Sequence, residues 1–581
     1  FQRRELRQSD HEIRVSRLID RALRPLFDAE ERREVHLVVQ VLSVDPKLDL
    51  IGLAITGAGL VASCSTLPFN GPVFGASLLI EQEEEELTCV SCPAKQDFEW
   101  VLTTHLDGLV MIEGGAEEGL TPAKSLFNAL RDFAADHESI LDTLRDFCAD
   151  YQDKKVIYDS PIEVVEHPAF DACISDLASA LREQDKRMRE HKYNFILENL
   201  KREVGADPSS VELTLWSLAR AYLRSEALEG RRQDGRAPHE MRAYQIQAGI
   251  LPRASGSALV TRGSTQVLVS ATQGGHSDSP SYETLFSQGR PNLFCHYNFP
   301  GYATHQIRPS RAPNRREIGH GLLIQRALTP LYMSQRGKSL RFLADVFSSD
   351  GSSSMASVIG ANIALAQAGH HLGEPVVGIS VGLVTDDHSQ TGVLLMDISG
   401  DEDYYGDMDF KVAGTDKGIT ALQMDIKITS VTTEIMKIAL NQAYDGRIHI
   451  LKEMSKLMDV SRDTVSENAP RIVTITIAKD KIGEVIGPGG KVIREITEET
   501  GVKIDIDDTG TVKVSAVSEE AIKKALDWIE GIVAEPEVGE TYTGKVAKLA
   551  DFGAFVSFLG GSYGLIHISE IAKERIGKVS E

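Results

Sequence analysis

The sequence predicts a multidomain α/β (α+β) protein with two related α/β domains in tandem, an all-helical segment between them and two small modules at the end. Three observations carry this prediction: an imperfect internal repeat, a charged stretch of helical periodicity between its copies, and a Gly-rich loop between two helical patterns beyond Pro470. At 581 residues, 42% of them hydrophobic and 25% charged, the chain has material for roughly three to five domains.

The repeat pairs Arg3-Arg4-Glu5 and Ile19-Asp20-Arg21-Ala22-Leu23-Arg24-Pro25-Leu26-Phe27 with Arg315-Arg316-Glu317 and Ile324-Gln325-Arg326-Ala327-Leu328-Thr329-Pro330-Leu331-Tyr332. Each copy continues in a strand-like run, Val35 to Val44 or Ser339 to Phe347, and then a helix of small residues, Gly52 to Ser65 or Ser353 to Ala368. Strand-rich sequence from Asp234 through Gly263 precedes only the second copy, so the first copy's amino-terminal strands are expected to be missing. Residues 122 to 230 carry helical periodicity with many charges, as in Ala123 to Tyr151 and Val164 to Lys201. The expected domains are 1–121, 122–230, 231–469, 470–535 and 538–581.

A formal net charge of −23 excludes a protein that coats nucleic acid through bulk positive charge, so any such contact must be local. No apolar run reaches the roughly 18 residues of a membrane span, and no membrane partner is expected. The chain opens on Phe1 and reads as a fragment. Six irregularly spaced cysteines fit a reducing compartment, hence a cytoplasmic location. Cys89 and Cys92 form a CxxC without a second ligand pair, and read as two thiols rather than a metal site.

Residues 471 to 533 alternate as strand, helix, Gly-rich loop, helix, strand, strand, helix, and resemble a KH domain. There the loop Gly487-Pro488-Gly489-Gly490 would bring backbone N–H groups against about four nucleotides, with Lys491 adding charge. From Gly539, Tyr542-Thr543-Gly544-Lys545-Val546 and Asp551-Phe552-Gly553-Ala554-Phe555 lead to Gly564-Leu565-Ile566-His567, which look like the opening strands of an S1-type OB-fold. Phe552, Phe555 and His567 would stack bases, each worth on the order of 1 to 3 kcal/mol. The chain ends at Glu581, so this module is expected to be truncated.

Three segments of the second copy carry candidate chemistry. In Gly400-Asp401-Glu402-Asp403-Tyr404-Tyr405-Gly406-Asp407-Met408-Asp409-Phe410-Lys411, Asp403 and Asp409 suit Mg²⁺ or Mn²⁺, and Lys411 shares a strand face with Asp409. Asp350-Gly351-Ser352-Ser353-Ser354 opens a helix, where hydroxyls and free N–H groups attract phosphate, although serines there often only cap. Between His305 and Arg326 five arginines face one acid, and Arg315, Arg316 and His320 are candidate phosphate or RNA ligands.

The ordered set of segments resembles the polynucleotide phosphorylase family across essentially the whole chain: tandem RNase PH-like domains, a helical domain, then KH and S1 modules. The resemblance implies a catalytic second copy, with Asp403, Asp409 and Lys411 at a metal, and Ser352, Ser353, Ser354, Arg315, Arg316 and His320 around phosphate and the RNA end. It implies an inert first copy whose Phe1, Arg3, Arg4, Arg7, Arg17, Arg21 and Arg24 guide RNA. It further implies a homotrimeric ring, a place in an RNA-degradation complex, and reversible phosphorolysis of single-stranded RNA by inorganic phosphate to nucleoside diphosphates. Gln2, in place of a second Phe, and Tyr302-Ala303-Thr304-His305, without the usual Gly-Glu, depart from the family pattern. A hydrolytic exonuclease and a non-catalytic RNA-binding ring are the rival readings.

Overall fold

The computed structural model describes residues 8–27, 34–83, 86–91, 100–106, 108–116, 119–152, 162–275, 278–284, 287–309, 312–332, 339–370, 374–386, 389–458, 471–536, 538–558, 562–572 and 578–579. The chain divides into two compact units, residues 1–271, 281–336 and 341–464 against residues 272–280, 337–340 and 465–581.

In the larger unit the first copy opens with helices α1 (Asp10–Leu23) and α2 (Leu50–Cys64), followed by strands β1 (Phe74–Glu83), β2 (Glu86–Ser91), β3 (Trp100–His105) and β4 (Gly108–Gly115). A capping box starts α1, Ser9 and Glu12 each satisfying the other's free N–H. The apolar stripe Leu18, Ala22 and Leu23 then packs against Ile51, Ile55 and Ala58 of α2 and Val101 and Met111 of the sheet. Helices α3 (Ala123–Asp136) and α4 (Glu138–Gln152) follow, then α5 (Pro168–Leu181), α6 (Lys186–Val204) and α7 (Pro208–Leu228).

The second copy supplies β5 (Tyr244–Ala248), β6 (Gly256–Arg262), β7 (Thr265–Gly274), the two-residue β8 (Tyr282–Glu283) and β9 (Gln288–Gly289), β10 (Leu293–Asn298), α8 (Arg315–Tyr332), β11 (Ser339–Ser348) and α9 (Ser353–Gln367). It continues through β12 (Val377–Asp386), β13 (Ser389–Met396), α10 (Gly400–Tyr405), β14 (Met408–Gly414), β15 (Ile419–Ile426) and α11 (Thr433–Met458). One sheet has the order β10-β11-β7-β6-β5; the other runs β13-β12-β14-β15-β4-β3-β1-β2, four strands from each copy. The copies join where β15 pairs antiparallel with β4, Met424 opposite Ile112 and Gln423 opposite Glu113.

Three expectations need correction. The run Val35 to Val44 is not a strand: it is irregular and exposed, with Val38 at 73% and Leu42 at 86%. Its counterpart β11 is paired by β10 and β7, and the described residues 8–27 supply no such ladder for it to join. The repeat register also differs, because α1 begins at Asp10 and Glu12 precedes Arg21 by the same interval that separates Glu317 from Arg326. Glu12, not Glu5, is thus the counterpart of Glu317. Finally, α3 belongs with the first copy, since Phe74 stacks on Phe133 at 6.0 Å and on His137 at 4.7 Å. The insert with its own core, Phe170, Leu177, Leu197, Leu200, Val211 and Leu215, is α5 to α7.

The smaller unit holds β16 (Arg471–Thr476), α12 (Ile482–Ile486), α13 (Lys491–Thr500), β17 (Lys503–Ile506), β18 (Thr511–Ala516) and α14 (Glu519–Val533), in the expected order, around Val485, Ile496, Val512, Val514 and Ile529. A meander of β19 (Lys545–Ala550), β20 (Gly553–Phe558) and β21 (Ser562–His567) follows. No described helix is long and apolar enough to cross a membrane.

Candidate active site

The serine turn is held by its carbonyls. Arg262, fully buried at the tip of the β6–β7 hairpin, donates from Nη2 to Gly351 O (3.1 Å) and Ser352 O (2.9 Å), and Arg242 Nη1 donates to Asp350 O at 2.6 Å. Thr265 Oγ1 donates to Gly351 O and accepts from Asp350 N. Both arginines rest on the buried Asp397, to which Arg242 Nη2 donates at 2.7 Å and Arg262 Nε lies at 3.3 Å. Burial alone would raise the Asp397 carboxyl, but Arg262 and Arg242 hold it far below the usual carboxylate range. With its carbonyls tied down, the turn leads into α9 with Ser352 at φ 51° and making no side-chain cap bond.

That geometry decides the capping question. The Ser352 and Ser354 hydroxyl oxygens are buried and meet no partner among the described residues, whereas Ser353 Oγ lies 2.7 Å from the Tyr297 hydroxyl. Neither hydroxyl caps the helix, and two unsatisfied hydroxyls at a helix N-terminus are able to take an anion.

The acidic run is sorted by the arginines around it. Arg189 Nε takes Asp401 (2.7 Å), Arg232 takes Glu402 through Nη2 (2.6 Å), and Arg220 and Arg224 take Asp407 through Nη2 at 2.9 and 2.7 Å. Asp403 and Asp409 meet lysines instead of arginines, the Lys427 ammonium lying 3.7 Å from the Asp403 carboxylate. Asp409 lies on β14 directly opposite Asp425 of β15, an arrangement of like charges that favours a cation. Lys411 Nζ donates to Asp409 Oδ2, and Asp409 Oδ1 is buried with no donor among the described residues. No described group of three or more His, Cys, Asp and Glu could hold a metal. Two carboxylates with one open oxygen still fit Mg²⁺, which retains waters and takes phosphate oxygens as further ligands.

The serine and acidic turns touch. Gly351, at φ 85°, lies so close to the second turn that a Cβ there would sit 2.6 Å from Ser399 C and 2.8 Å from Gly400 N, and Gly400 N donates to Asp350 Oδ1 at 3.3 Å.

Cations gather above them. His320 is buried on α8 with its ring edge on Tyr297 at 5.0 Å; burial, then Arg316, Lys411, Arg17 and Arg21, push its pKa well below the usual 6.5, so it is neutral. Burial brings Lys411 down to about 8, against the pull of Asp403 and Asp425. Arg316 stacks over Phe299 at 5.0 Å. Arg17, from the first copy, fits where Gly319 has no side chain, and burial with Arg21 nearby lowers it to about 10.

Of the expected site residues, the structure thus gathers Ser352, Ser354, Arg316, His320, Asp403, Asp409, Lys411 and Arg17, with Ser353 bonded to Tyr297. Arg315 is exposed at the first turn of α8. Arg21 is buried at 4% exposure with its guanidinium bonded to the buried Glu113, which also has Arg326 at 3.5 Å, so it braces the two copies. Phe1, Arg3, Arg4 and Arg7 lie outside the described residues, as do Cys92 and the side chain of Cys89. Sequence reasoning missed Asp397, Arg242, Tyr297, Glu113 and Asp425; the spaced arginines from Arg232 to Arg262 were the one visible signal.

In the smaller unit the Gly487–Gly490 loop is built on positive φ at Gly487, Gly489 and Gly490, with the Arg494 guanidinium bonded to the carbonyls of Gly489 and Gly490. Lys491 is exposed at the start of α13. Phe552 and Phe555 meet edge to face at 6.2 Å, and the register puts His567 opposite Gly553, on the face of Phe555.

Comparison with known proteins matches the 3′ exoribonuclease family, domain 1, at residues 1–66 and 240–371, and domain 2 of that family at 374–446. A KH domain matches at 472–531 and an S1 RNA binding domain at 535–581. The polyribonucleotide nucleotidyltransferases of Rhodospirillum centenum and Rhodospirillum rubrum are each 43% identical to the chain, covering all of it and 83% of their own length. That of Granulibacter bethesdensis is 42% identical over all of the chain and 82% of its own.

Proposed function

The chain belongs to the polyribonucleotide nucleotidyltransferase family, and from that premise we propose that its second copy degrades RNA from the 3′ end by phosphorolysis. Inorganic phosphate attacks the 3′-terminal phosphodiester in line; the bond to the shortened RNA's 3′ oxygen breaks, and a nucleoside diphosphate leaves. Because one phosphoryl linkage is exchanged for another, the reaction reverses when diphosphates abound. Ser352 and Ser354 would hold the attacking phosphate, with Arg316 and Arg17 neutralising its charge and neutral His320 donating one hydrogen bond. Asp403 and Asp409 would hold a divalent cation, Mg²⁺ or Mn²⁺, which when bound supplies charge neutralisation at the phosphorus. Lys411 adds a second positive charge and orients Asp409. Gly487 to Lys491 and the Phe552, Phe555 and His567 face would retain single-stranded RNA. A homotrimeric assembly in the cytoplasm, within an RNA-degradation complex, completes the proposal.

What supports this reading over a hydrolase or an inert ring is the close approach of the serine turn to the acidic turn, Gly351 against the backbone of Ser399 and Gly400. The experiment is incubation of labelled RNA and Mg²⁺ with and without phosphate. Nucleoside diphosphates formed only with phosphate are expected; monophosphates formed without it would replace this reading with hydrolysis.

A further inference from the structure

The helical insert reaches the active-site turns through one helical turn. At the start of α6, Lys186 Nζ donates to Ser349 O at 2.9 Å and lies 3.8 Å from Asp350 Oδ1. Three residues on, on the same face, the buried Arg189 donates from Nε to Asp401 at 2.7 Å and from Nη1 to Glu183 O at 2.7 Å. Between them, Arg187 Nε meets His305 Nε2 at 3.3 Å, and His305 ends the short helical turn whose Ala303 O accepts from Ser349 N. The contacts close a ring: Lys186 to Asp350, Asp350 to Gly400 N, Gly400 to its neighbour Asp401, and Asp401 to Arg189. The far end of the acidic turn is pinned to the same insert, Asp407 by Arg220 and Arg224, and Tyr405 packed against the insert's core.

Resting on the phosphorolytic reading, we propose that Lys186 and Arg189 are positioning residues for the reaction, fixing the serine turn and the acidic turn at one spacing so that phosphate and divalent cation bind as a linked pair. Neither side chain is among the groups assigned to either ligand; Lys186 acts on the serine turn through Ser349 O and the Asp350 carboxylate, and Arg189 on the acidic turn through the Asp401 carboxylate. Since a displacement of about 1 Å in such a site can lower the rate about 100-fold, loosening the ring acts on catalysis well beyond its effect on folding.

The test uses the full chain with Lys186→Met, Arg189→Met and the conservative Arg189→Lys. Mn²⁺ binding is read from the free-ion EPR signal with and without inorganic phosphate, beside thermal unfolding and the KM for phosphate. In the parent, phosphate should tighten Mn²⁺ binding. In Lys186→Met and Arg189→Met that enhancement should fall towards one and the KM for phosphate rise about tenfold, with Arg189→Lys restoring part of both. Variants that melt earlier yet keep the parent's linkage and KM would reduce the pair to a structural role and overturn the proposal, as would a parent without linkage. Should Arg189→Met fail to fold, Lys186→Met, at a part-buried position, decides alone. A parent that releases no diphosphate fails on the function itself, a result distinct from an active parent with indifferent variants.

Discussion

The two copies carry the same small-residue helix and differ in what occupies its first turn. In the first, Asp49 caps α2, its carboxylate accepting from Gly52 N at 2.9 Å, Ser77 N at 2.6 Å and Ser77 Oγ at 2.8 Å. In the second, the corresponding turn offers the unpartnered hydroxyls of Ser352 and Ser354. One copy has built its own anion into the turn that the other, on the function proposed, offers to phosphate. The sheet tells the same story: Asp425 of β15 has Asp409 opposite it, whereas Glu113 of β4 has Val101. The first copy thus satisfies its helix internally and sets an apolar residue opposite its acid, while its Arg17 lies against Gly319 of the second.

This comparison can be broken at several points. The largest effect is expected from Asp409→Asn, which should lower phosphorolysis and polymerisation on the order of 1,000-fold while RNA retention on filters is unchanged. Activity near the parent's would remove the carboxylate from the mechanism. Arg21→Met should lower stability by about 3 kcal/mol in urea unfolding, because Glu113 would stay buried with less compensation. The pH dependence has a definite sign. Burial would raise the Glu113 carboxyl, but Arg21, Arg326 and Arg14 bring it to about 2, below its usual 4.5. Its stabilisation is therefore complete above about pH 4.5 and is lost as the pH falls towards 2, and Arg21→Met should blunt that acid sensitivity. A loss of RNA affinity with unchanged stability would restore Arg21 to an RNA-guiding role.

Smaller effects sharpen the contrast. Ser354→Ala removes one hydrogen bond to a charged ligand, about 2 kcal/mol, and should raise the KM for phosphate about 30-fold with the melting curve unaltered; an unchanged KM would return Ser354 to the core. Asp49→Ala should do the opposite, costing about 1 to 2 kcal/mol of stability with the KM for phosphate intact. Gly489→Asp, at φ 61° with nothing within 4 Å of a Cβ, should leave the fold alone and weaken RNA binding about tenfold; equal affinity would refute the loop's role.

Local chemistry was legible in the sequence: the helix after Ser352, the two glycine-rich modules and the acidic run all stand where periodicity and turn residues put them. What was not legible depends on partners far along the chain. Nothing near Asp397 announces Arg242 and Arg262, and nothing near Arg21 announces Glu113, so Arg21 read as one more RNA-facing cation. Val35 to Val44 has the intrinsic features of a strand yet finds no ladder among the described residues 8–27, since β propensity expresses itself only against a partner. Within the acidic run, spacing alone could not separate Asp401 and Asp407, taken by arginines of the insert, from Asp403 and Asp409.

The central claim is that phosphate and divalent cation meet in one pocket, and the ³¹P relaxation of inorganic phosphate bound to the protein with Mn²⁺ measures it directly. A strong paramagnetic enhancement that Asp409→Asn abolishes is predicted. Relaxation no faster than that of phosphate and Mn²⁺ free in solution would contradict the account.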